Sequence, residues 1–302
     1  MPASHESAAL VLLLRAGRRP WQLYADLVEE AGSALAVLQR EQDSDGPHAD
    51  QQTLFAGPAD GVDRDADLEV IAAEIAGWQA DGMALLTVLD SEYPENLRGV
   101  HDRPPLIFVA GRLEPADARS AAVIGTRRPS PAGIQAARRI AEHLVDAGYT
   151  VVSGLAAGID ATAHTAALER RGRTVAVVGT GLRRSYPPQN ARLQRRIASE
   201  CAVVSQFWPD APPSRRSFPM RNAVMSGLTL ATVVVEASHA SGSRTQARLA
   251  LDQGRPVFLP HALLSQPWAT ELAARPGAHV VRSPEDITMT IERLTSAGAL
   301  TA

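Results

Sequence analysis

TVVSGLAAGIDATAH (150–164) is the stretch that decides the fold of this chain. An apolar β-branched run reaches Ser153, turns on Gly154, and gives way at Ile159 to an alanine-rich helical pattern. A strand that turns through glycine into a helix leaves backbone N–H groups pointing outward with no side chain in the way. That is how anion-binding crevices are built. Three further stretches repeat the plan: AAVIGTRRPSPAG (121–133), TVAVVGTGLRRSYPPQN (174–190) and ATVVVEASHASGSRTQA (231–247). The last run ends in Glu236, and Gly242 opens its helix.

Working outward, strands are predicted at 121–124, 150–153, 174–178, 202–205, 231–236, 256–259 and 278–281. Helices are predicted at about 132–147, 159–171, 189–199, 220–228 and 243–253, with a last one over 283–298. Apolar strands buried on both faces and joined by helices make a mostly parallel sheet with right-handed crossovers, hence an α/β fold. Ligands of such sheets lie at the carboxyl ends of the strands, where all four glycine turns fall. Upstream, 7–40 reads as two helices broken at Gly17–Pro20. Residues 41–66 read as a mobile, Asp/Gly/Pro-rich linker, and 66–80 reads as an amphipathic helix with Leu68, Ile71, Ile75 and Trp78 on one face. The expected division is an N-terminal helical domain with its linker at 1–65, then an extended α/β domain at 66–302 with its core at 90–285.

All thirty basic residues are arginine, so every basic contact to a phosphate is a guanidinium fork. The net charge of −3 is unevenly spread. Residues 1–90 hold 5 Arg against 16 Asp/Glu, whereas 91–302 hold 25 Arg against 17. A basic body behind an acidic segment suits an anionic partner. Cys201 stands alone, which excludes an internal disulfide framework and a cysteine-rich zinc site. VLLL near the start is too short for a signal peptide, and no apolar run reaches membrane-spanning length. A cytoplasmic chain without membrane attachment is expected.

Each turn carries candidate ligand-binding groups. Gly125 permits close approach of an anion, Thr126 offers a hydroxyl, and Arg127 can bond a phosphate bidentately. Ser153, Gly154 and Gly158 form a nest ahead of the helix at Ile159. Asp160 reads as that helix's N-cap and His164 as a packing or hydrogen-bonding residue, since no third metal ligand accompanies them. Arg183 and Arg184 beside Tyr186 suit phosphate contact plus stacking on a single strand. Arg221 and Asn222, in the first turn of the helix after FPMRN, would face the crevice. Ser241, Gly242 and Ser243 offer hydroxyl and backbone donors. Glu236 reads as bonded to neighbouring backbone or to an arginine, because no paired nucleophile or acid accompanies it. No loop spells G-x-G-x-x-G or G-x-x-x-x-G-K-S/T, so a nicotinamide site and a P-loop are disfavoured. No catalytic residue, metal or cofactor is expected.

Together these residues resemble the DNA processing protein A (DprA/Smf) family. The likeness runs from about Tyr93 to Pro260. It rests on Tyr93-Pro94 with Pro104-Pro105, VIGTR, SGLAAGIDATAH, VAVVGTGL…YPPQN, FPMRN…SGL and VVVEA…SGS…A. The resemblance implies a Rossmann-like sheet behind a small, SAM-like helical domain, and single-stranded DNA as the ligand. It also implies a RecA-type recombinase as partner and a homodimer formed through the Rossmann-like domain. Arg127, Ser153, Gly154, Arg221 and Asn222 carry over by motif.

The chain departs from the family pattern at Ala223 in place of the second arginine of R-N-R, and at Gln246 in place of threonine. It departs again at Gln206 in place of glutamate and at His261 in place of glycine, and the pattern is degenerate over SQPWATELAARPGA (265–278). No winged helix is expected beyond the last helix. Two rival readings are a nucleotide-binding or nucleotide-hydrolysing protein of the lonely-guy type and an interaction protein whose DNA site has decayed. The first is disfavoured because VVVEASHASGSRT lacks that group's double glycine and following glutamate.

Overall fold

The computed structural model describes residues 5–44, 64–238, 241–298 and 300. They fall into two compact units. The smaller runs up to Tyr93 and includes Pro104–Leu106; the larger comprises Pro94–Arg103 and the chain from Ile107 onward. The central part of the expected linker lies outside the described residues. The helix over Arg64–Ala80, expected with the α/β domain, belongs to the smaller unit.

In the smaller unit, α1 (His5–Ala16), α2 (Trp21–Ala31), α3 (Ala34–Ser44) and α4 (Arg64–Ala80) are followed by β1 (Met83–Thr87). The helix expected across 20–39 is two helices. Gly32 takes φ +64°, a left-handed conformation that costs glycine little, and its N–H closes α2 on Glu29 O. The apolar pattern runs on across this break, so periodicity alone did not reveal it. α1 buries Leu10, Val11 and Leu13, and its Glu6 carboxylate reaches across to the N–H groups of Ala34 and Leu35 at the start of α3. Glu41, also buried, accepts from Arg19 and Tyr24, and burial with this neighbour pushes the Tyr24 phenol up to about 12. The motif residues Tyr93 and Pro104 meet directly: the Tyr93 hydroxyl donates to Pro104 O at 2.6 Å.

The larger unit continues with α5 (Glu95–Arg98), β2 (Leu106–Gly111), β3 (Ser120–Gly125), α6 (Pro131–Asp146), β4 (Thr150–Ser153), α7 (Ile159–Glu169), β5 (Thr174–Val177), α8 (Ala191–Glu200) and β6 (Ala202–Ser205). Then follow α9 (Ser217–Leu228), β7 (Ala231–Glu236), α10 (Gly242–Asp252), β8 (Val257–Pro260), α11 (Pro267–Ala273), β9 (Ala278–Val281) and α12 (Pro284–Ser296). Its sheet runs β2-β6-β5-β4-β3-β7-β8-β9, with β2 antiparallel to β6 and every other pair parallel. This is the mostly parallel α/β sheet, preceded by helices, that the sequence predicts.

Strand order reverses between β3 and β7. Because parallel crossovers are right-handed, α6 and α7 cover one face, while α9 and α10 cover the other. Against β3, β4 and β7, the first face packs Ala137, Ile140, Ala141 and Leu144 of α6, Ala163, Ala166 and Ala167 of α7, and Ile287 and Ile291 of α12. Small and β-branched residues let the layers approach closely, so the core needs few aromatics. α11 was not foreseen; its Trp268 and Leu272, one turn apart, bury its inner face.

Candidate nucleic-acid interface

The ends of β3, β4 and β5 and the start of α9 enclose a pocket of about 160 Å³. Arg127, Gly154, Gly179, Tyr186, Phe218 and Arg221 are among its lining residues. Of the candidate site residues, the structure brings Arg127, Gly154, Tyr186 and Arg221 together here.

Arg221 is 7% exposed. Its Nη1 donates to Gly154 O at 2.5 Å and to Val177 O at 2.8 Å, and its Nε donates to Asn222 Oδ1 at 3.0 Å. Asn222 therefore orients the guanidinium, and the guanidinium joins the ends of β4 and β5. A side chain at position 154 would have its Cβ inside the Arg221 guanidinium, so this turn needs glycine. Burial pushes Arg221 below the ordinary arginine value. The Asp160 carboxylate opposes that shift, and Arg127 adds to it.

Asp160 is not the N-cap of α7. Gly158 holds that position, and Asp160 sits one residue inside the first turn, from where its Oδ2 accepts from Ala156 N. Burial pushes its carboxyl up, against the pull of Arg221 and of backbone N–H groups at Ala156, Gly125 and Gly154. One buried carboxylate thus faces one buried guanidinium, and Arg127 is left over. Arg127 is exposed and has no carboxylate partner among the described residues. Its guanidinium stands 5.5 Å over the Phe218 ring, and the Phe218 and Tyr186 rings lie 5.6 Å apart at a tilt of 45°. A cation over an aromatic pair gives the pocket mouth one attraction for phosphate and another for bases.

The remaining candidates are not among the lining residues of this pocket. Ser153 is fully buried and donates to Val123 O at 2.6 Å, pinning β4 to β3. Thr126 Oγ1 accepts from Arg128 N and shapes the turn after Gly125. Arg183 pairs with Asp210 at 2.7 Å, and Arg184 donates to Asp210 O, so both lean on the 208–211 segment. Ser241 caps α10 by accepting from Ser243 N, with Gly242 between them. Glu236 accepts from the N–H and hydroxyl of Ser130 ahead of α6, in keeping with a backbone-bonded carboxylate. His164 is fully buried, bonded through Nδ1 to Thr174 Oγ1 at 2.7 Å, and held down to about 3 chiefly by burial. Cys201 is buried at the start of β6, and burial pushes its thiol up.

Sequence reasoning quoted Phe218 but did not make it a site residue. A signal was available: Phe218 lies three residues before Arg221 and so shares its helix face. Gly179, Thr180, Pro187 and Gln189 also line the pocket and were not expected as site residues. Among the described residues, no cluster of three or more His, Cys, Asp or Glu could hold a metal ion, and no helix is long and apolar enough to cross a membrane.

A family profile described as DNA recombination-mediator protein A matches residues 84–292. The Smf protein of Synechocystis sp. is 41% identical over 182 residues, which cover 59% of this chain and 46% of that relative. The matched stretch thus spans about half of that relative's length. The crystal structure of DNA processing protein A (DprA) from Streptococcus pneumoniae superposes with a TM-score of 0.69 at 30% identity, covering 96% of this chain and 98% of the other. A second structure, of DNA processing protein A from Helicobacter pylori, reports that protein's single-stranded DNA binding mode. It matches with a TM-score of 0.62 at 27% identity, over 70% of this chain and 96% of the other.

Proposed function

The chain belongs to the DNA recombination-mediator protein A family, and from that premise we propose that it binds single-stranded DNA at the carboxyl ends of β3, β4 and β5. It holds the strand without a chemical step, protects it, and presents it to a RecA-type recombinase during recombination and natural transformation. A homodimer is the working assembly.

The observation that carries this reading is Arg127. It is an exposed guanidinium without a carboxylate partner among the described residues, placed over Phe218 at the mouth of the pocket that Arg221 and Gly154 build. Such a cation attracts a phosphate, and the Phe218–Tyr186 pair offers ring faces to bases. Stacking tolerates any base, so the binding is largely independent of sequence. A single strand fits better than a duplex, because only unpaired bases can leave their own stack for the protein's. The Helicobacter pylori relative supports the choice of ligand.

Fluorescence-anisotropy titration with labelled single- and double-stranded oligonucleotides of one sequence, at two salt concentrations, tests the proposal. Salt-sensitive preference for the single strand, weakened in Arg127→Ala, is the expected result. Absence of binding at low salt would overturn it. Recombinase loading has its own test. The protein should accelerate nucleation of recombinase filaments on single strands coated by a single-strand-binding protein. No acceleration would remove that part of the reading while leaving DNA binding intact.

A further inference from the structure

A cavity of about 730 Å³ in the larger unit is not the pocket described above. It opens between the first three turns of α6 and the start of α12, over the ends of β7, β8 and β9. We propose that this cleft is a second ligand site, and that it takes a nucleoside 5′-monophosphate.

Four observations converge on that class of ligand. The first is place: the cleft lies beside the reversal of strand order between β3 and β7, where doubly wound sheets put small ligands. Its volume falls within the range of small-molecule sites. The second is shape. The Glu236 carboxylate fills the space at Gly133, and beyond it the α6 wall presents Ala136, facing Ile287 of α12 over a floor that includes Val235 and Val281. A small residue facing apolar ones leaves a slot suited to a planar base.

The third is Glu236. Its carboxylate reaches into the cleft and accepts from Ser130 N at 3.1 and 3.2 Å and from Ser130 Oγ at 2.8 Å. A carboxylate offers about four acceptor positions, so two donors leave capacity for hydroxyls such as a ribose diol. The fourth is Arg139, which lines the same cleft, is exposed, and has no carboxylate partner among the described residues. It matches one phosphate. Arg282 also lines the cleft and is exposed, and its backbone N–H donates to Asp286 Oδ2.

The balance of charge argues for a mononucleotide over a strand. The guanidinium groups of Arg139 and Arg282 suffice for one phosphate, while the Glu236 carboxylate in the cleft would repel a chain of them. The Ser130 and Ser283 caps already occupy N–H groups of both helix starts, so the phosphate is assigned to these arginines and not to a helix terminus.

The test is isothermal titration calorimetry on the full chain. Each of the four ribonucleoside 5′-monophosphates is titrated separately, with inorganic phosphate and ribose 5-phosphate as further arms. Arg139→Ala, Ala136→Phe and Arg127→Ala are run beside the wild type, and thermal melting checks that Ala136→Phe folds. The expected result is one-to-one binding of at least one nucleotide. It should be weakened tenfold or more by Arg139→Ala, abolished by Ala136→Phe and unchanged by Arg127→Ala. Inorganic phosphate should give no comparable heat. Three results would overturn the proposal: no heat from any nucleotide at millimolar concentration, binding lost in Arg127→Ala but kept in Arg139→Ala, or inorganic phosphate binding as tightly as the nucleotide. If Arg139→Ala weakens oligonucleotide binding and no nucleotide binds, the cleft is part of the nucleic-acid interface and the proposal also fails. Arg139→Ala alone decides the question if Ala136→Phe does not fold.

Discussion

Arg221 sits directly against Gly154: its Nη1 donates to the Gly154 carbonyl at 2.5 Å, and a Cβ at 154 would overlap the guanidinium. The pocket's shape and its buried charge therefore depend on each other. Gly154→Ala should push the guanidinium out of its bonds to Gly154 and Val177. The cost is about 1–3 kcal/mol of stability, the usual range for overpacking that also breaks buried hydrogen bonds. Oligonucleotide affinity should fall at least tenfold with it. Thermal melting and anisotropy on the same preparation check both. Lost stability with unchanged affinity would place Arg221 outside the binding surface.

Arg127 is the opposite case. It is exposed and its guanidinium stacks over Phe218, so Arg127→Ala should leave stability within about 0.5 kcal/mol of wild type. Its effect should appear in binding. Removing one phosphate contact on a single strand lowers the slope of log K against log salt by about 0.7. A titration series over salt measures that slope. An unchanged slope would mean that Arg127 touches no phosphate.

The contrast between these two arginines also shows what the sequence could and could not tell. The fold was legible because runs such as TVAV (174–177) and ATVVVE (231–236) are too apolar for anything but buried strands, and glycine marks where they turn. Arg127 was legible because a guanidinium next to such a turn is normally solvated. The burial of Arg221 was not, since arginine is rarely buried and the partners that permit it, Gly154, Val177 and Asp160, lie far away in sequence. Arg183 reads as a phosphate ligand, and its surface pairing with Asp210, 27 residues further on, was not legible in the sequence. Two departures from the family pattern have a plain location: Gln206 and Gln246 are buried, and neither lines the pocket of Arg127 and Arg221.

Phe218 and Tyr186 separate stacking from charge. Tyr186 is 38% exposed and its ring packs on Phe218. Tyr186→Ala should weaken single-strand binding by about 1–3 kcal/mol, the value of one base stacked on an aromatic ring. The salt slope should stay as in wild type, because no charge is removed. Tyr186→Phe should retain affinity. If Tyr186→Phe is as weak as Tyr186→Ala, the hydroxyl matters and the stacking account is wrong.

His164 gives the protein a specific acid sensitivity. The Thr174 hydroxyl donates to Val151 O at 2.7 Å, so its oxygen must accept from His164 Nδ1, which fixes the neutral tautomer. Burial holds the folded value at about 3 against an ordinary 6.5. Between those limits the unfolded chain binds a proton that the folded chain does not, so stability falls as pH falls. The contribution is fully present above pH 6.5 and is lost progressively toward pH 3. Over the interval from pH 6.5 to 5, where most carboxylates stay ionised, the loss is about 2 kcal/mol. His279, also lowered by burial and by Arg293, adds a loss of the same sign. His164→Gln should therefore flatten the dependence of melting temperature on pH across this interval, whatever it does to stability at pH 7.5, and His279→Gln should flatten it less. A His164→Gln curve parallel to wild type from pH 6.5 to 5 would show that the imidazole is not the group being protonated.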